Sequence, residues 1–261
     1  EGRSYPVDVH YGKTIPLRDL VAETAMAVCR SLEHNEGSVL VFLPGQAEIR
    51  ALARQLENRV SELILLVPLY GNLSIEAQRR AIEPTAAGLR KVVMATNLAE
   101  SSLTIEGVTV VVDCGYSRVP QFDPRSGMTR LYTQKVSRAS ADQRAGRAGR
   151  LGPGIAYRLW PASETLAAFS EPEIAQGDLA PLALQLLQWG VLPQELAWLN
   201  PPRAAPYQQA MDLLLRLGAC SASGQITAHG EAMAALPVHP RLAHMLLRAH
   251  EWGADRLACD V

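Results

Sequence analysis

Short, unbroken apolar runs spaced along the first half of the chain constrain it more than any other feature. Ser38–Leu43 reads SVLVFL, Val108–Val112 reads VTVVV, and Leu63–Leu69 and Lys91–Ala95 are built the same way. Runs of this kind suit strands buried on both faces. Between them the texture is amphipathic: Leu17, Leu20, Val21, Ala25 and Val28 recur at helical spacing after Pro16, and Ala47–Leu56 and Ser74–Ala81 do likewise. Tyr5–His10 alternates toward a further strand, and Pro44-Gly45 ends the first apolar run. Strands that alternate with helices pair in parallel, with helices on both faces. The spacing therefore predicts an open α/β sheet.

From about Pro161 the strand signal disappears. Leu182–Trp189, Tyr207–Leu217, Ala228–Leu236 and Arg241–His250 are Leu- and Ala-rich and read as helices. SASGQIT (Ser221–Thr227) reads as a turn and short strand between two of them, and Asn200–Pro206 as a Pro-rich linker. Three helices with a small wing predict a winged-helix module. Its acidic-to-neutral composition favours packing over nucleic-acid contact. The start at Glu1 without Met, and the stop at Val261 soon after a helix, suggest a piece of a longer chain.

With 261 residues, 48% of them hydrophobic, the chain can bury a real core, and a net charge of -1 excludes a uniformly polybasic surface. Charge is nevertheless focused: residues 114–150 carry eight basic side chains against two acidic ones, leaving the remainder net acidic. Such focusing suits a polyphosphate partner. Cys29, Cys114, Cys220 and Cys259 form no CxxC pair, which argues against a zinc site or a disulfide framework and for a reducing compartment. No apolar run reaches the length of a spanning helix, and the N-terminus lacks a signal-peptide pattern. A soluble, cytoplasmic protein without membrane contact is expected.

Some motifs fail. Gly12-Lys13-Thr14 resembles the end of a phosphate-binding loop, but Val7 stands where that loop needs its first glycine. Asp113 reads as a strand-end carboxylate, His239, His244 and His250 as surface histidines, and Gly152-Pro153-Gly154 as a turn. Two motifs hold. In Gln143–Arg150 (QRAGRAGR) a continuous helix would align Gln143, Arg147 and Arg150 at i, i+4 and i+7, while Ala145, Gly146, Ala148 and Gly149 admit a close neighbour. Guanidinium forks projecting together suit phosphate oxygens and the charge of phosphoryl transfer. A merely balanced helix surface is disfavoured, because no acidic residue lies between Asp142 and Glu164. In Val92–Asp113 (VVMATNLAESSLTIEGVTVVVD) a buried strand ends at Thr96-Asn97, and Ser101, Ser102 and Thr104 then offer hydroxyls near backbone N–H groups, where a phosphodiester can bind.

These motifs, with VLVFLPGQAEI (Val39–Ile49) and PLYGNLSIEAQRRAIEP (Pro68–Pro84), resemble the second RecA-like domain of superfamily 2 DEAH/RHA helicases over roughly residues 1–160. ATNLAESSLTIEG resembles helicase motif V, and SADQRAGRAGRLGPGIAYRL resembles motif VI. The stretches EPEIAQGDLAPLALQLLQWG and GQITAHGEAMAALPVHPRLAHMLL are similar to the winged helix and the beginning of the helical bundle that follow it in that family. The resemblance implies a RecA-like domain over 1–160, a winged helix over 161–236 and the start of a truncated helical bundle over 237–261. It implies a 3'-to-5' ATP-dependent RNA helicase in which Gln143, Arg147 and Arg150 reach the γ-phosphate, the two arginines as fingers. Glu106 stands where the family carries an Asp on the ribose, Ile82 where many relatives stack an aromatic ring on adenine, and Ser102 where nucleotide state is sensed. Thr96, Asn97, Thr104, Gly45, Arg118 and Arg130 would face RNA, the last two from a β-hairpin over Arg118–Val136 with Asp123-Pro124 and Ser126-Gly127 at its turn.

Neither a Walker A lysine nor a DEAH box occurs in the sequence. ATP with Mg²⁺ is the expected cofactor, its metal held mainly by a first RecA-like domain that is a required partner. The other partner is single-stranded RNA or an RNA duplex with a 3' overhang. Two rivals stay open: half of a DNA translocase, since backbone contacts alone do not distinguish sugars, and a non-catalytic nucleic-acid or protein-binding module.

Overall fold

A computed structural model describes residues 5–100 and 104–260. These divide into two compact units: the described residues up to Val119 with Leu131–Ser170, and Pro120–Arg130 with the described residues from Glu171 onward.

The first unit is built on a six-stranded sheet. In chain order its elements are β1 (Val7–Tyr11), α1 (Leu20–His34), β2 (Ser38–Phe42), α2 (Gln46–Leu56), β3 (Ile64–Leu69), α3 (Ile75–Ile82), β4 (Arg90–Ala95) and β5 (Val108–Asp113). The hairpin strands β6 (Tyr116–Asp123) and β7 (Met128–Lys135), then α4 (Arg138–Ala145) and β8 (Gly154–Arg158), follow. The strand order is β1-β8-β5-β2-β4-β3, all pairs parallel. Every residue of β2 is buried, as an apolar run between two covered faces requires. Its side chains alternate: Val39 and Val41 join Val28 of α1 and Ile49 and Leu52 of α2 on one face, while Leu40 and Phe42 join Ala81 of α3 and Ala145 of α4 on the other.

Strand β8 was not anticipated, because Gly152-Pro153-Gly154 reads as a turn. Gly154 instead opens a strand inserted between β1 and β5. A side chain there would meet the Ala148 carbonyl at 2.3 Å, so the glycine lets the segment after α4 lie flat on the sheet. The expected hairpin is present, its turn held by the Gly127 N–H on the Asp123 carbonyl at 2.8 Å and by Gly127 at φ 65°.

The second unit contains α5 (Glu173–Gln176), α6 (Ala180–Trp189), α7 (Ala204–Arg216), α8 (Ala228–Ala234), α9 (Pro240–Glu251) and α10 (Asp255–Cys259). Leu184, Leu213, Leu214, Met233 and Ala243 form its core. Three readings are corrected here. The Pro-rich segment is not all linker: α7 begins at Ala204, since Pro206 falls in the first helical turn, where its missing N–H costs nothing. The wing strand reduces to one antiparallel bridge, Cys220 with Ile226, around a turn in which Gly224 takes φ 77°. His239 is more than a surface histidine: it caps α9, and its Nε2 meets Asp178 Oδ2 at 3.0 Å.

Candidate functional site at the carboxyl edge of the sheet

The strand registers bring Tyr11, Arg158, Asp113, Phe42, Ala95 and Leu69 into one row across the sheet. Everything immediately after that row forms the edge where open α/β sheets bind ligands. Thr96 leaves β4 there, half-buried, its N–H on the Leu69 carbonyl at 3.3 Å, and Asn97 opens a short 3-10 turn as an exposed side chain. Gly45 precedes α2, and a Cβ there would stand 2.5 Å from the Arg118 guanidinium, the end of a flexible side chain that would have to shift to admit it. Arg118 in turn holds Glu48 Oε1 at 2.8 Å. Ser102, like Ser101, lies outside the described residues.

The arginine motif differs from its expected form. α4 stops at Ala145, and the next residues close i to i−3 hydrogen bonds, Arg147 N–H to Arg144, Ala148 to Ala145 and Gly149 to Gly146. In this tighter winding residues three apart eclipse. Arg147 and Arg150 therefore remain on one side, while Gln143, exposed on α4, does not share a continuous helical face with them. Arg150 donates to Thr104 Oγ1 at 3.1 Å, and Arg147 donates to the Glu100 carbonyl. Both motif segments thus meet at the same edge.

The intervening Arg144, which the sequence reading passed over, is fully buried. Its Nε donates to Glu100 Oε1 at 2.7 Å, and Nη1 donates to Asp113 Oδ1 at 2.8 Å and to the Tyr116 carbonyl at 3.2 Å. Its guanidinium also lies 4.9 Å from the Phe42 ring centre. Burial alone would depress its pKa; Asp113 and Glu100 together hold it above the ordinary arginine value. The motif is accordingly balanced by acids after all, but from 44 and 31 residues away. Arg147 is different: burial first, then the charge of Arg150, push it down to about 10 against the pull of Glu100, so it remains a cation at neutral pH.

The two candidates for the nucleoside also adjoin, since the Glu106 N–H donates to the Ile82 carbonyl at 3.2 Å. Ile82 is half-buried and Glu106 exposed. Arg130 is exposed on β7, within the second unit. A cavity of about 330 Å³ lined by Gln121, Asp178, Arg216 and Arg241 in that unit contains none of the predicted site residues. Among the described residues no three His, Cys, Asp or Glu side chains are placed to form a metal cage of their own, and a Mg²⁺ that takes most of its ligands from phosphates and water would not need one. No described helix is long and apolar enough to cross a membrane.

Comparison with known proteins gives a consistent picture. The family described as helicase conserved C-terminal domain matches residues 21–152. The chain is 49% identical over 252 residues to the ATP-dependent RNA helicase HrpB of Escherichia coli K12, covering 95% of this chain and 31% of that protein. A crystal structure of the E. coli DEAH/RHA helicase HrpB superposes with a TM-score of 0.92 at 48% identity, over 99% of this chain and 33% of that one. A second, of the E. coli DExH-box NTPase HrpB, gives 0.87 at 49% identity. The chain thus spans about a third of the length of these relatives.

Proposed function

The chain belongs to the helicase conserved C-terminal domain family, and from that premise we propose that it is the second RecA-like half of an ATP-dependent, 3'-to-5' RNA helicase of the DEAH/RHA type. The meeting of the two motif segments at the carboxyl edge carries the reading: Arg150 on Thr104 and Arg147 on the Glu100 carbonyl link the phosphate-directed arginines to the segment that would follow RNA.

In this proposal Arg147 and Arg150 act as fingers, meeting negative charge as it spreads over the transferred phosphoryl group. Gln143 orients toward the same phosphate, Ile82 covers the base, Glu106 holds the ribose and Ser102 responds to nucleotide state. Thr96, Asn97, Thr104 and the Gly45 backbone contact the RNA backbone, with Arg118 and Arg130 adding charge from the hairpin. Mg²⁺ and most phosphate ligands belong to a first RecA-like half. A winged helix over 161–236 and the beginning of a helical bundle over 237–261 complete the assignment.

A half-site cannot turn over. The isolated chain should hydrolyse no ATP with or without RNA, because it offers fingers but no phosphate loop. RNA-stimulated turnover intrinsic to the purified chain, proportional to its concentration and abolished by Arg150→Ala, would overturn the half-site reading.

A further inference from the structure

Two consecutive cations on β4, Arg90 and Lys91, leave the sheet on opposite sides, as adjacent strand residues do. Each closes the carboxyl end of a helix. Arg90 donates through Nε to the Gly37 carbonyl at 2.6 Å, through Nη1 to Leu32 at 3.0 Å and through Nη2 to Asn35 at 2.8 Å, gathering the end of α1. Lys91 is fully buried and donates through Nζ to the Ala81 carbonyl at 2.8 Å and the Glu83 carbonyl at 2.6 Å, at the end of α3.

Those two carbonyls flank Ile82, whose own carbonyl accepts the Glu106 N–H. Three successive carbonyls, 81 to 83, are therefore fixed by one buried ammonium and one backbone donor. Lys91 makes no ion pair among the described residues, and burial pulls its pKa below the ordinary lysine value against the charges of Glu106 and Glu83. A buried cation held by neutral carbonyls is an expensive way to fill space, since an apolar side chain would fill it without desolvating a charge. What the ammonium adds is a defined place for the last residue of α3, reinforced by the negative end of the helix.

We infer that Lys91 is a positioning residue for the nucleoside: it sets Ile82 against Glu106 so that one nucleotide meets both. The inference rests on the proposed assignment of Ile82 to the base and Glu106 to the ribose. It treats neither residue as sufficient alone.

The test uses the full-length protein, with steady-state ATPase kinetics and inorganic tripolyphosphate as a competitive inhibitor that lacks base and ribose. Lys91→Met should raise the KM for ATP about tenfold, on the scale of a lost charged hydrogen bond, with kcat within about twofold. Its Ki for tripolyphosphate should match wild type. Arg90→Met removes the equivalent cap on the opposite face; it should lower the melting temperature similarly and leave KM unchanged. Should Lys91→Met not fold, Lys91→Gln, too short to reach both carbonyls, takes its place and should also raise KM. A wild-type KM in the Lys91 variant, with KM raised in Ile82→Ala and Glu106→Ala, overturns the inference and leaves the assignment standing. A wild-type KM in all of these overturns both. Equal weakening of ATP and tripolyphosphate, or an Arg90→Met that behaves like the Lys91 variant, reduces the role to general stability and also overturns it.

Discussion

Arg144, Arg147 and Arg150 are chemically alike and three residues apart, yet their surroundings give them different work. Arg144 has two carboxylates and no exposure, so it holds the motif in place. Replacing it by Met strands Glu100 and Asp113 without their cation, and breaking a buried ion pair in this way costs about 3–5 kcal/mol. Urea denaturation of Arg144→Met should show that loss. Arg150 is exposed, and Arg150→Ala should leave the denaturation midpoint almost unmoved while lowering kcat in the full-length protein by about 10³-fold, the scale of an arginine finger. Swapped phenotypes would reverse the two roles. Burial also ranks the cysteines. The Cys114 thiol is pushed up to about 12, by burial first and then by the Asp113 charge, whereas Cys259 is exposed. A disulfide reagent at pH 8 should label Cys259 in the native chain and Cys114 only after unfolding; equal native rates would refute this placement.

At the scale of elements, the segment from α4 to β8 decides the site. Gly149 lies against β1: a Cβ there would stand 2.6 Å from the Tyr5 carbonyl and 2.7 Å from Val7. Gly149→Ala should therefore push the tight turn off the sheet, costing about 1–3 kcal/mol as overpacking does. In the full-length protein kcat should fall with it, because Arg147 and Arg150 flank the glycine. Unchanged stability in a denaturant titration would show that the turn yields freely. This segment is also where reading the sequence was hardest. β2, β4 and β5 were legible because burial on both faces leaves an unbroken apolar run. β8 was not, since Gly154–Arg158 alternates between buried and half-buried and follows a Gly-Pro-Gly that imitates a turn. The helical face of Gln143 with the two arginines extrapolated the winding of α4 past Ala145, where the hydrogen bonds change to i to i−3. The partners of Arg144 were invisible because a local charge count cannot see acids brought in by strand order. Lys91 escaped for a related reason: a lysine at the head of an apolar run reads as the strand's wet end, and only the fold shows α3 closing over it.

For the molecule as a whole, the proposed RNA surface can be tested against either unit. The chain is nearly neutral, so attraction must come from local groups rather than from a uniform field. The donors at the carboxyl edge belong to the first unit, and the turn around Gln225 belongs to the second. If the edge is the RNA surface, the chain should bind single-stranded RNA weakly and without sequence preference, because phosphate contacts position a strand without reading its bases. Affinity should fall by about 0.7 log unit per phosphate contact for each log unit of salt. Thr104→Ala, which removes an exposed hydroxyl at that edge, should weaken binding, while Gln225→Ala should leave it nearly unchanged. Fluorescence anisotropy over a salt series separates the alternatives. Control of affinity by Gln225, with no effect of Thr104, would move the interface to the second unit and make the chain a winged-helix binding module. Equal affinity for single-stranded DNA of the same length would instead favour a translocase that reads phosphates and ignores the 2'-hydroxyl.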